Sequence, residues 1–179
     1  LNQYPSYHKR KYEVISLKPQ KIKEILAPDE VWFEFVVSNS ATYVFVINPK
    51  GYDLIKIPIN RGDLNEKLKT LYNLLQSPFL LRKTEKKAFI VQSSELYKLF
   101  FKPLEIHLTG VNKLNLVLED ELFFVPFEVL IANNEIREFQ DLPFLIKDYE
   151  INYHYSATAY QNLQKKVDNR DKSLIAFAP

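Results

Sequence analysis

The sequence predicts an α/β domain built on a mixed sheet, with an antiparallel meander at its N-terminal end and helices flanking it. Two observations support this fold class. Three runs rich in β-branched and aromatic residues follow one another between positions 31 and 59, separated by short polar breaks, as expected of an antiparallel meander. Beyond them, segments of helical periodicity alternate with short apolar runs typical of buried strands.

The N-terminal part of the pattern predicts one short helix and three strands. Ile22, Ile25 and Leu26 share one face of a helix expected over 21–26. Pro58 cannot donate to a strand ladder, so the third strand is expected at a sheet edge. The three strands are predicted over 31–37, 42–47 and 54–59.

Helices are predicted next. Asp63 and Glu66 have the spacing of a capping box, so a helix is expected to begin at Asp63. Its apolar face is formed by Leu64, Leu68, Leu71 and Leu75. The charged residues 81–87 are expected to form a loop or a frayed helix end, with a second helix over 94–102.

The C-terminal part predicts three more strands and one helix. Residues 119–121 are acidic and are expected to form a turn after the first of these strands, and Ser156 is a natural helix N-cap. The strands are expected over 114–118, 144–155 and 173–178, and the helix over 157–166.

Composition excludes several function classes. The chain has 179 residues, a net charge of +2 and no cysteine, so a disulfide framework, a thiolate metal site and a cysteine nucleophile are all excluded within it. No apolar run reaches the roughly 18 residues of a membrane span, which predicts no membrane association. The absence of methionine predicts an internal fragment of a longer protein, and the absence of cysteine is what a cytoplasmic protein is expected to show.

Four local patterns together resemble CHAT domains, the caspase-like domains that commonly follow tetratricopeptide repeats. The first is the entry, with YPSY at 4–7 and PDE at 28–30. The others are LYKLFFKPLE at 96–105, then LVLEDEL at 116–122 running into VPFEVL at 125–130, and finally FLIKDYEI at 144–151 followed by YSAT at 155–158. The family usually has a small residue or glycine in the turn where this chain has Glu119, Asp120 and Glu121.

The resemblance implies a caspase-like fold related to separases and caspases. In that family a His followed by a Cys forms the peptidase dyad in the later half, and the half before it is a non-catalytic, pseudo-caspase unit. The chain is then expected to divide into a linker from an upstream helical-repeat region (1–20), the non-catalytic half (21–172) and the first strand of the catalytic half (173–179).

No catalytic, cofactor-binding or metal-binding residue is predicted. His8 lies in a linker, His107 at a helix end, and His154 on a strand, where it is expected to be half-buried and hydrogen-bonded. None has a nucleophilic partner in the sequence, since no cysteine is present. Ser93, Ser94 and Ser156 are interpreted as helix caps. No acidic or histidine cluster has metal-ligand spacing, and the three glycines are too scattered to cradle a phosphate.

Glu128 lies in an otherwise apolar segment and leaves two interpretations open. It is either a solvent-facing residue or local helix cap, or a buried carboxylate whose ion pair or hydrogen bond locks the two halves together.

The function predicted is therefore a non-catalytic, supporting half of a cysteine peptidase, coupling the catalytic half of the same protein to upstream helical repeats. The chain alone is not expected to be an enzyme. A scaffold or protein-interaction module of a peptidase-dead relative is the alternative. The basic, aromatic residues 4–12 could contact nucleic acid, but the near-neutral chain favours a linker.

Overall fold

A five-stranded mixed sheet organises residues 17–167, the part of the chain that the computed structural model describes. The strand order is β3-β2-β1-β4-β5. The first three strands pair antiparallel, whereas β1, β4 and β5 are parallel. This confirms the mixed sheet and the meander predicted from the sequence. The strands are β1 (Glu30–Val37), β2 (Thr42–Asn48), β3 (Gly51–Ile57), β4 (Lys113–Val117) and β5 (Glu150–Tyr153).

The turn between β2 and β3 is closed by a side chain. The Asn48 Oδ1 accepts hydrogen bonds from the backbone N–H groups of Lys50 and Gly51, at 2.9 and 3.1 Å, a common use of asparagine in turns. The strand β3 then ends at Ile57, next to Pro58. It lies at one edge of the sheet, as the proline predicted.

Within residues 17–167 four helices cover the sheet: α1 (Pro19–Ile25), α2 (Arg61–Leu75), α3 (Lys83–Phe100) and α4 (Ala157–Val167). Successive side chains of a strand point to opposite faces, so Val31, Phe33 and Phe35 of β1 enter the main core with α2 and α3. Trp32 points to the opposite face. There it is buried with residues of α1 and α4 in a second, smaller cluster: Ile22, Leu26, Ile47, Val117, Ala157 and Tyr160.

The boundaries predicted for the second long helix are wrong. The helix α3 begins at Lys83 rather than at 94, so residues 81–87, expected to form a loop or a frayed helix end, contain its first turn. The charged residues of this turn hide a helix start, because Phe89 and Ile90 after them are fully buried. As a consequence Ser93 and Ser94 are buried in the helix interior and cap nothing. The Ser93 hydroxyl instead donates to the Val129 carbonyl.

The strand predicted over 144–155 is also too long, because only β5 is extended. Residues between β4 and β5 form short 3₁₀ helices rather than regular structure, and Leu145–Lys147 is one of them. Prolines at 126 and 143 interrupt this segment. It still fills the main core, into which it inserts Leu122, Phe127, Leu130, Leu142 and Leu145.

The residue that caps α2 is Asn60, not Asp63. The Asn60 Oδ1 accepts from the Asp63 N–H at 2.9 Å, and its Nδ2 donates to the Asp63 carboxylate at 2.8 Å. Asp63 is therefore the third residue of the helix, which begins at Arg61, and Glu66 has no part in the cap. The buried face predicted for this helix is confirmed at Leu64, Leu68 and Leu71.

Several predicted segments lie outside the described residues: most of the linker over 1–20 with His8, and the strand expected over 173–178. Within residues 17–167, no helix is both long enough and apolar enough to cross a membrane.

The cap of α2 provides a direct test. Asn60→Ala should lower the free energy of unfolding by about 1 kcal/mol, because an N–H of the first turn loses its acceptor. Glu66→Ala, a control for the capping box suggested by the sequence, should change it by less than about 0.5 kcal/mol. Urea unfolding followed by Trp32 fluorescence measures both. A larger loss in Glu66→Ala than in Asn60→Ala would contradict the observed cap.

Candidate functional site

The carboxyl ends of β1, β4 and β5 lie at one edge of the sheet, since these strands are parallel. In open α/β sheets this edge is where ligands and catalytic groups are usually found. Its side chains in this chain come from the turn after β4, the first turn of α2 and the end of β5. The chemical groups of these side chains therefore determine whether the edge can catalyse a reaction.

Val37, the last residue of β1, is clamped on both backbone groups by side chains. The Glu119 carboxylate accepts from the Val37 N–H at 2.9 Å, and an Arg61 Nη donates to the Val37 carbonyl at 2.6 Å. The other Nη of Arg61 binds the Asp120 carboxylate. These contacts, called the Val37 clamp below, join β1, the turn after β4 and α2.

Asp120 has a φ of 52°, in the left-handed region that favours glycine. Aspartate is among the few non-glycine residues that tolerate this backbone conformation. An acidic turn is acceptable here, as the sequence indicates. The structure shows what its aspartate does: the carboxylate of Asp120 binds Arg61.

The strained position can be tested with two matched variants, because Asp120→Gly and Asp120→Ala both remove the contact to Arg61. Only alanine keeps a Cβ at positive φ. Asp120→Ala should therefore be less stable than Asp120→Gly by about 1 kcal/mol in urea unfolding. Equal stability of the two variants would contradict the left-handed conformation.

Tyr153, at the end of β5, ties this strand to the 3₁₀ segment. Its hydroxyl donates to the Glu128 carboxylate at 2.7 Å and accepts from the Phe127 N–H at 3.0 Å. Burial and the hydrogen bond to Glu128 raise the pKa of the Tyr153 hydroxyl well above its ordinary value. Glu128 is half-buried and hydrogen-bonded within this chain. It is therefore intermediate between the solvent-facing residue and the buried carboxylate that the sequence left open.

Next to Tyr153 the edge exposes aromatic rings. A cavity of about 500 Å³ lies between the turn after β4 and the end of β5. Phe124 and Tyr155 are the most exposed of its residues, at 70% and 90%. These rings, called the aromatic edge below, are Phe123, Phe124, Tyr153 and Tyr155.

His154 is half-buried and hydrogen-bonded, as predicted. Its ring stacks on Trp32, with centroids 5.3 Å apart and planes at 12°, and contacts the edge of Tyr160 at 4.8 Å. The His154 Nε2 is 2.9 Å from the Asn115 Oδ1. Burial lowers the pKa of His154 below its ordinary 6.5, and the charge of Glu30 acts in the opposite direction.

His154 makes the stability of the chain depend on pH. Between the folded pKa and 6.5 the unfolded state binds more protons, so stability falls as pH drops below 6.5 and the loss is complete below the folded pKa. The slope stays under about 1.4 kcal/mol per pH unit, the limit for one proton. Urea unfolding from pH 7.5 downwards, followed by the fluorescence of Trp32, measures it.

His154→Gln should remove this part of the pH dependence, whereas His107→Gln, a control at another half-buried histidine, should keep it. The same pH dependence in all three proteins would contradict a neutral, stacked His154.

His107 has no nucleophilic partner either. It lies in the last turn of the 3₁₀ helix Lys102–His107, the helix-end position predicted from the sequence. Its Nε2 is 3.6 Å from an Asp53 carboxylate oxygen, which is beyond ordinary hydrogen-bond distance. The ring lies beside a cavity of about 450 Å³.

In residues 17–167 no three His, Cys, Asp or Glu side chains are grouped for a metal ion. Ser156 caps α4 as predicted, accepting from the Ala159 N–H at 3.2 Å.

Sequence reasoning missed the two residues that organise the edge, Arg61 and Tyr153. Arg61 did leave a signal. A cation in the first turn of a helix opposes the helix dipole, so its position required another partner. Tyr153 left none, because its partners lie 25 and 26 residues away in a segment without regular periodicity.

The mixed α/β sheet is consistent with a caspase-like fold, and the polar side chains described at its carboxyl edge bind the backbone and one another. Residues 91–179 match the model of the CHAT domain family, a caspase-like, peptidase-related family. The match includes β4, β5, α4 and the aromatic edge, and three of the four patterns recognised in the sequence. No curated protein compared with the chain is a significant match.

Proposed function

We propose that this chain is the non-catalytic, supporting half of a CHAT cysteine peptidase, which contacts the catalytic half of the same protein and couples it to upstream helical repeats. The observation that supports the proposal most is the carboxyl edge. Its strand ends are occupied by the Val37 clamp and by the Tyr153–Glu128 hydrogen bond, and the chain has no cysteine.

The aromatic edge is the contact proposed for the catalytic half. β5 is only four residues long and lies at the end of the sheet. No strand among residues 17–167 pairs with its outer side, and an open edge is a template for further pairing. Phe124 and Tyr155 stand exposed beside this edge, and large aromatic side chains are typical anchors of protein interfaces.

The test uses the intact protein, in which this chain is joined to its catalytic half. Phe124→Ser combined with Tyr155→Ser should lower its peptidase activity roughly 10-fold or more, because truncating interface anchors costs upwards of 1–2 kcal/mol. Leu81→Ser combined with Ile146→Ser is the control, since both side chains are exposed elsewhere. Activity is measured as cleavage of a denatured protein substrate. Equal activity of the two double variants would contradict the contact.

Peptidase activity in residues 1–179 alone would overturn the proposal directly. An intact protein that cleaves nothing, yet loses a bound protein partner when the aromatic edge is changed, would favour the alternative of a peptidase-dead scaffold.

A further inference from the structure

The helices α1 and α4 lie at opposite ends of the described residues, yet they cover the same part of the sheet. They are in contact with each other, and both pack in the second cluster around Trp32, to which α1 contributes Ile22 and α4 contributes Ala157 and Tyr160. Within residues 17–167 neither helix contributes a side chain to the main core. The attachment of both helices to the sheet therefore depends on one small set of contacts.

Glu30, the first residue of β1, joins the two helices through a single oxygen atom. Its Oε2 accepts from the Ala27 N–H, two residues after α1, at 3.2 Å, and from the Tyr160 hydroxyl of α4, also at 3.2 Å. Its Oε1 is 3.3 Å from the Lys113 Nζ on β4. Glu30 is only 7% exposed, and a carboxylate that is removed from water is costly unless such partners satisfy it.

Tyr160 is the side chain through which α4 reaches this carboxylate. Burial, and then the negative charge of Glu30, raise the pKa of the Tyr160 hydroxyl above its ordinary value, so the hydroxyl keeps its proton and donates it to Glu30. The ring of Tyr160 lies 5.4 Å from that of Trp32 and 4.8 Å from that of His154, measured between centroids. The apolar ring and the polar hydroxyl of one residue therefore hold α4 on the sheet.

The second cluster also contains a polar group that favours its opening. Asn115 lies opposite Trp32 on β4 and is 1% exposed. Its Nδ2 has no hydrogen-bond partner among the described residues, and a buried donor without an acceptor is destabilising until water reaches it. Opening of this layer is therefore expected to cost less free energy than unfolding of the main core.

We propose that Glu30 couples α1 to α4, so that the two helices open from the sheet and close on it as one unit. This inference goes beyond the proposed function, because it concerns residues 17–167 and requires no catalytic half. Its consequence is that a displacement of α1 reaches α4 through the hydrogen bonds of Ala27 and Tyr160 to one carboxylate oxygen. A displacement of α4 reaches α1 in the same way, since coupling between two sites is reciprocal.

Amide hydrogen exchange in the 179-residue chain, followed by NMR, tests the coupling. Tyr160→Phe removes the hydrogen bond to Glu30 and keeps the ring, so exchange should become roughly ten-fold faster in α4 and faster by the same factor in α1. Tyr52→Phe is the matched control, because this tyrosine is 61% exposed on β3, and it should change neither helix. Unaltered exchange in β1 and β4 verifies that the sheet is intact. Faster exchange in α4 alone, or in neither helix, overturns the proposal.

The reverse perturbation gives an independent measurement. Ile22→Val removes one buried methylene from α1 and should speed exchange in α4 by the same factor as in α1, roughly three-fold. Ile57→Val makes the same change in the main core and should leave exchange in α4 unaltered. An effect of Ile22→Val that is confined to α1 contradicts the coupling. Neither measurement uses peptidase activity, so a failure here is distinct from a failure of the proposed function.

Discussion

The pairing of β1 with β2 on one side and β4 on the other is the constraint on which the rest of the structure depends. One neighbour is antiparallel and the other parallel, so β1 is where the meander joins the parallel part of the sheet. Its side chains are buried on both faces: Phe33 and Phe35 in the main core, and Trp32 in the second cluster. A register shift by one residue would exchange these faces, which fixes the pairing.

The end of β1 shows how this constraint extends to the carboxyl edge. Parallel pairing brings the turn after β4 next to Val37, and Glu119 and Arg61 then satisfy both of its backbone groups. The left-handed backbone of Asp120 allows its carboxylate to complete the clamp. In a peptidase-related fold this edge is a usual position for reactive groups, and here its polar side chains bind the backbone and one another.

The two faces of the sheet differ in how they are covered. The main core packs β1 and β4 against two long helices and the 3₁₀ segment. On the opposite face, α1 and α4 cover little more than the surroundings of Trp32 and His154, so Phe45 and Leu54 remain exposed. Antiparallel strands tolerate one solvated face. The aromatic edge, proposed as a contact surface, lies instead at the carboxyl edge of the sheet.

The sequence by itself determined the fold class, the meander, the edge position of β3, the buried leucines of α2 and the half-buried, hydrogen-bonded position of His154. Each follows from local periodicity, from proline chemistry or from a short alternating pattern. Four local patterns acting together, three of them within residues 96–158, also indicated the CHAT family, which the match over 91–179 supports. Only the tertiary structure decided the start of α3, the Asn60 cap and the Val37 clamp. Arg61 and Asp120 are 59 residues apart, and Tyr153 and Glu128 are 25 apart. No local pattern encodes such contacts, because strand pairing alone brings their elements together.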